Sequence, residues 1–320
     1  MLIHVSSLQF NVIDVGARYG IHPSLRRLMG MVPIHLFEPD PTESERLSAQ
    51  YASIRGVSVH AVALGVASSA RPFVLREHRG LSGFADISPD NSNWKIPVQG
   101  VGEFEHIQVE VRPLSDFLIG KPAIIKLDTE GSEFEILVSA GEQLRNVTAI
   151  RLEFNMRALW STGTSFAKLD AFLAEQGFVF TNFDSPPNGS IFGRLPLPGS
   201  KGQLIAGDGL WVREQRESTL SDPELFCRSF FFYLNGLEGL GLEDVSKLSE
   251  DARVSLICSE HSSLEALLYA LVLQHLLSAR LYPHFGASAV ESEHLNLFGR
   301  PIPGREILFQ RLHQAGLNVE

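Results

Sequence analysis

The rhythm of apolar and helical segments in the first part of this chain restricts its fold more than any other feature. Short apolar runs lie at Asn11–Val15, Ile34–Phe37, 57–61, Ala123–Leu127 and 149–154. Helical patterns lie between several of them, at 42–51 and 132–139. Such alternation predicts a parallel sheet with crossover helices. Strands buried on both faces read as nearly continuous apolar runs, as these do. The expected class is therefore α/β, with a Rossmann-like, mostly parallel sheet.

Two segments depart from the rhythm. Residues 73–111 hold Gly80, Gly83, Pro89, Pro97, Gly100 and Gly102 between strand-like runs at 73–75 and 106–111. They read as a long, loop-rich insertion, and loops of that length inside a domain are often functional. Later, a helix over 166–176 is expected to stop at Gly177. Strands at Phe178–Phe183 and 210–213 then flank a Pro- and Gly-rich stretch, 184–202. They predict an antiparallel hairpin at the sheet edge.

Beyond residue 217 the pattern is helical only. A helix over 223–234 would take Asp222 as N-cap and Gly236 as its stop. Leu264, Leu267, Leu268, Leu271 and Val272 fall at helical spacing. That helix is too short for a membrane span, which needs about 20 apolar residues. The expectation is an α/β domain over 1–217 and an all-α domain over 218–320.

Composition narrows the partners. The formal net charge of −10 makes a phosphate backbone an unfavourable ligand. Cys227 and Cys258 are the two cysteines, too few for a disulfide framework or a cysteine-rich metal site. The segment from Met1 to Ser6 lacks the basic start and apolar core of a signal peptide. A cytoplasmic protein without a membrane span is expected.

Three strand ends carry the chemistry. The first run leads into Asp14, Gly16 and Gly20, where Gly16 lets the backbone approach a ligand. The spacing is not the G-x-G-x-x-G that cradles a pyrophosphate, which argues against a nicotinamide dinucleotide. The second run ends in Glu38, about 20 residues on, where an acid can accept from ribose hydroxyls. Asp40 better fits a helix cap. The fourth run ends in Asp128 and Glu130, which share a face in extended chain and repel unless a cation or proton relieves them. Glu153 and Asn155 follow the fifth run on the same sheet edge.

The series VIDVGARYG, HLFEPDP, HAVALG, IIKLDTEGSEFEIL and IRLEFN resembles the FkbM family of S-adenosylmethionine (SAM)-dependent methyltransferases. The resemblance runs from Val12 to Arg213 and is most specific around Asp128–Glu133. It implies a class I methyltransferase fold. It also implies that Asp14, Gly16 and Gly20 lie along the SAM methionine and ribose, with Glu38 on the ribose. Ala63 and Leu64 would approach the adenine, and Asp128 and Glu130 would border methyl transfer as the catalytic pair. Arg18 stands where the family usually has Asn, so its contact with the methionine carboxylate is open; a direct ion pair is one option. With a first strand starting at Asn11, cover for the acceptor is expected from 73–111, 184–202 or the helical tail.

The implied activity is methyl transfer to a hydroxyl of a small molecule, sugar or glycan, or polyketide. Asp128 or Glu130 would act as general base or orient the hydroxyl. His60 is a second candidate base, although a hydrogen-bonded strand histidine is the simpler reading. Trp160 is a candidate wall of the acceptor site or a core residue. Asp128, Glu130 and Glu153 are hard oxygen donors, but a sulfonium serves such a cluster equally well, and no metal is assigned. The C-terminal helices offer a surface for a homodimer. The alternative is a non-catalytic SAM-binding scaffold that works through those helices. The three intact acidic strand ends argue against it.

Overall fold

The computed structural model describes residues 8–84, 102–118, 120–156, 160–161, 163–184, 192–194, 203–214, 220–258, 264–277, 294 and 297–298. The contacts within the chain divide it into two units, Asn11–Ser218 and Met1–Phe10 with Thr219–Glu320.

In the first unit, β1 (Asn11–Val15), β2 (Ile34–Phe37) and β3 (Val57–His60) pair in parallel on one side. The helix α1 (Pro41–Tyr51) crosses between β2 and β3. Asp40 is its N-cap, with Oδ1 accepting from Thr42 N at 3.1 Å.

The strand-like runs at 73–75 and 106–111 lie within two longer strands, and residues 85–101 between them lie outside the described residues. β4 (Ala63–Leu64), β5 (Ser69–Arg76) and β6 (Glu103–Arg112) form a second sheet in the order β4-β6-β5. One face of this sheet carries the apolar set: Phe73, Leu75, Val109 and Val111 pack with Ala63.

Back in the main sheet, β7 (Ala123–Leu127) pairs with the other side of β1. α2 (Glu133–Ser139) leads on towards β8 (Val147–Asn155), which pairs in parallel with β7. α3 (Phe166–Glu175) ends at Gly177, φ 83°. β9 (Phe178–Phe183), β10 (Phe192–Arg194) and β11 (Gln203–Arg213) complete the eight-stranded sheet. β11 runs antiparallel to β8, β9 and β10, as the edge pattern predicts. With the order β10-β11-β8-β7-β1-β2-β3, this is the class I methyltransferase arrangement.

Chain order reverses between β1 and β7, so the crossover helices diverge and open a crevice at the carboxyl ends. The register aligns those ends: Val15 pairs with Phe37 and Leu127, and Leu127 with Leu152. The next residue on each strand is Gly16, Glu38, Asp128 or Glu153.

The second unit contains α4 (Asp222–Leu234), α5 (Glu238–Lys247), α6 (Glu250–Cys258) and α7 (Leu264–Leu277). The N-cap of α4 is Ser221 rather than Asp222, because Ser221 and Glu224 close a capping box. Asp222 instead accepts from Ser249 N at 2.9 Å. Leu268, Tyr269, Val272 and Leu273 of α7 are buried. Among the described residues, no helix is long and apolar enough to cross a membrane.

Candidate active site

The glycine turn after β1 is shaped by what approaches it. Gly16 has φ 76°, and a Cβ there would meet the Asp128 carbonyl oxygen at 1.8 Å. Gly20, φ 94°, faces the Tyr51 hydroxyl, which accepts from Ile21 N at 3.0 Å. Asp14 is buried beneath the turn, with Oδ2 accepting from His22 N at 2.8 Å.

Lys126 holds this turn from below. Its Nζ donates to the carbonyls of Val15 and Gly16 at 3.3 Å and lies 3.5 Å from Asp14 and 3.4 Å from Asp128. Burial opposes its charge, but Asp128, Asp14 and Asp208 outweigh that and raise its pKa. Burial raises the Asp14 pKa against the pull of Lys126. A lysine inside the buried strand AIIKL was the signal for this role, which motif reading passed over.

A cavity of about 920 Å³, counting space open to solvent, lies at the carboxyl edge. Gly16, Arg18, Glu38, Ala63, Leu64, Asp128 and Glu130 all line it. Asp14 and Gly20 are outside that lining and shape the turn instead. The segment from His78 to Ser82, together with Phe84, supplies further wall. It is pinned to β5 by paired backbone hydrogen bonds between Val74 and Gly83, 3.0 and 3.1 Å. Part of the cover therefore comes from the 73–111 segment. The 184–202 segment lies largely outside the described residues.

Glu38 accepts from the backbone N–H of Asp40 at 2.9 Å and is 4.0 Å from Arg18. Burial pushes its pKa up to about 7. The Arg18 guanidinium is paired with Asp40, so in this structure its charge is already matched.

The loop after β7 is braced by Glu133. Its Oε1 accepts from Thr129 N and Oγ1 at 2.7 and 2.9 Å, and Oε2 from Gly131 N at 3.2 Å. Gly131, φ 102°, lets Trp160 pack where a Cβ would lie 2.7 Å from its side chain. Trp160 is buried, and its side chain favours the ionised form of Glu130. Glu130 has φ 55°, the one positive φ outside glycine among the described residues. Such conformations cluster at functional sites.

Asp128, Glu130 and Glu153 bring carboxylate oxygens within 4.8 Å of one another. Burial, then the neighbouring carboxylates, raise the pKa of Glu130 and Glu153 well above the usual range. The assembled trio can hold a proton or a cation. His60 does not join it. Its Nε2 lies 3.0 Å from His35 Nδ1 and its ring stacks on Phe37. Burial lowers its pKa to about 4.

The model of the methyltransferase FkbM domain matches residues 14–180, just over half of the chain. No curated protein sequence matches it. Similar solved structures include a candidate RNA methyltransferase from Pyrococcus horikoshii, 11% identical, with 65% of this chain and 75% of that one covered and a TM-score of 0.34. Another is precorrin-6y C5,15-methyltransferase from Geobacter metallireducens, 11% identical, with coverages of 64% and 82% and a TM-score of 0.29.

Proposed function

The chain belongs to the FkbM methyltransferase family, and from that premise we propose that it uses SAM to methylate a hydroxyl of a small molecule, sugar or glycan, or polyketide. One observation carries the reading: a single cavity joins the glycine turn, Glu38 and the Asp128–Glu130 pair. The donor set fits SAM. Gly16 offers close backbone, Glu38 a ribose acceptor, Ala63 and Leu64 an apolar wall for a base, and the carboxylates a partner for positive sulfur. Asp14 and Gly20 act by holding the turn. Arg18 serves SAM by keeping Asp40 and Glu38 in place.

When bound, SAM supplies an electrophilic methyl on a cationic sulfur. The chain's own task is placement, since holding the reacting atoms about 3–3.5 Å apart gives much of the acceleration. Asp128 or Glu130 orients the acceptor hydroxyl or takes its proton. The wall from His78 to Phe84 limits water at the same end of the cavity.

Calorimetric titration of SAM into the wild-type chain tests the cofactor. Absence of binding overturns the reading. Asp128→Asn should abolish transfer of labelled methyl from SAM in extracts while SAM affinity changes little. Normal turnover with a large loss of affinity contradicts the assigned role.

A further inference from the structure

We propose that Asp128, Glu130 and Glu153 form a binding site for one divalent, oxygen-seeking cation at the edge of the cavity that Asp128 and Glu130 line. The proposal deepens the methyltransferase reading and rests on it for the role of the ion, though not for its binding.

Geometry makes the site. Asp128 and Glu153 each follow a residue of the Leu127–Leu152 register pair. Glu130 turns back towards them, and oxygens of all three fall within 4.8 Å. Around an octahedral ion with bonds of about 2.1 Å, ligand oxygens lie roughly 3.0 Å apart when adjacent and 4.2 Å when opposite; calcium's longer bonds stretch both. The observed spread suits such a shell with a small closure.

A second observation points to a ligand. Glu153 Oε2 is shut off from solvent and has no hydrogen-bond partner, in a residue that as a whole is half-buried. A buried carboxylate oxygen left so is costly. Arg151 is engaged by Asp184 and Asp208, and Lys126, shared between Asp14 and Asp128, offsets one of the three carboxylates of the trio. Asp208 sits directly opposite Glu153 across β8 and β11, adding like charge. Asn155, two residues along β8 and so on the same face, also has a buried Oδ1 without a partner.

The donors are all hard oxygens, which suits Mg²⁺, Mn²⁺ or Ca²⁺. Three protein oxygens leave about three of six positions for water and acceptor oxygens. That favours an acceptor presenting two neighbouring oxygens, such as a vicinal diol. Coordination would favour the ionised hydroxyl, its proton passing to solvent. Asp128 and Glu130 would then act by holding the ion.

The test is Mn²⁺ titration of the full-length chain, followed by electron paramagnetic resonance of the free ion, with SAM calorimetry on the same preparations. One Mn²⁺ per chain is expected, displaced by Mg²⁺ or Ca²⁺. Glu153→Gln should weaken Mn²⁺ at least tenfold. Asp128→Asn, at an exposed position, should do the same and serves if the buried variant fails to fold. No Mn²⁺ binding, or equal affinity in the wild type and a folded variant, overturns the site and leaves protonated carboxyls as its explanation. A chain that takes SAM but no Mn²⁺ refutes only the cation site. One that takes Mn²⁺ but no SAM refutes only the cofactor reading.

Discussion

Lys126 on β7 and Asp14 on β1 are register partners, and their charges meet 3.5 Å apart beneath the glycine turn. The same ammonium donates to the carbonyls of Val15 and Gly16. One buried lysine thus ties the turn to the strand that presents Asp128. Removing one partner of such a pair leaves an uncompensated buried charge, worth about 3–5 kcal/mol. Lys126→Met should lower stability to urea by that order, and adding Asp14→Asn should restore part of it. Equal stability of Lys126→Met and wild type would show that the pair is dispensable.

Gly16→Ala tests the turn. The new methyl would meet the Asp128 carbonyl, a backbone atom, at 1.8 Å, and φ is 76° besides. The loops after β1 and β7 must separate to admit it. A loss of at least about 1–3 kcal/mol is expected from the backbone strain alone, with weaker SAM binding. Unchanged melting and affinity would contradict the close approach.

Glu38 sets a pH dependence. Its carboxyl titrates at about 7 in the fold against 4.5 ordinarily, because burial outweighs the Asp40 N–H and Arg18, while Asp40 and Glu43 add negative charge. Between these values the folded state keeps a proton that the unfolded state releases. Its contribution to stability is therefore full below about pH 4.5 and is lost as pH rises through 7. Glu38→Gln should lack that part of the slope in denaturation measured across this window. The ionised carboxylate is the better ribose acceptor, so wild-type SAM affinity should rise about tenfold from pH 6 to 8, the factor for one group titrating near 7. A flat profile would remove Glu38 from the ribose site.

Glu133→Ala tests the brace. Thr129 and Gly131 would lose the oxygens their N–H groups donate to. Amide exchange at these residues should accelerate, and methyl transfer should fall more than SAM affinity. Loss of global stability with unchanged exchange at the loop would point instead to a helix-end role.

Local pattern decided much of this molecule. Asn11–Val15, Ile34–Phe37 and Ala123–Leu127 are strands with the predicted limits, since uninterrupted apolar runs bounded by turn residues have few other stable forms. Asp40 as a cap and Gly177 as a stop follow from one residue and its neighbours. Tertiary structure decided the remainder. The runs at 73–75 and 106–111 are legible as strands, but their extension into β5 and β6 and their pairing as a second sheet depend on burying one shared apolar face. Ser221 wins the cap of α4 over Asp222 because Glu224 can reach back to it. The site follows the same division. That Asp128, Glu130 and Glu38 end strands is a property of the chain. The meeting of Asp128 and Glu130 with Glu153, the engagement of Arg18 by Asp40, and the placing of Lys126 under the turn depend on strand order and register, which bring together charges far apart in sequence.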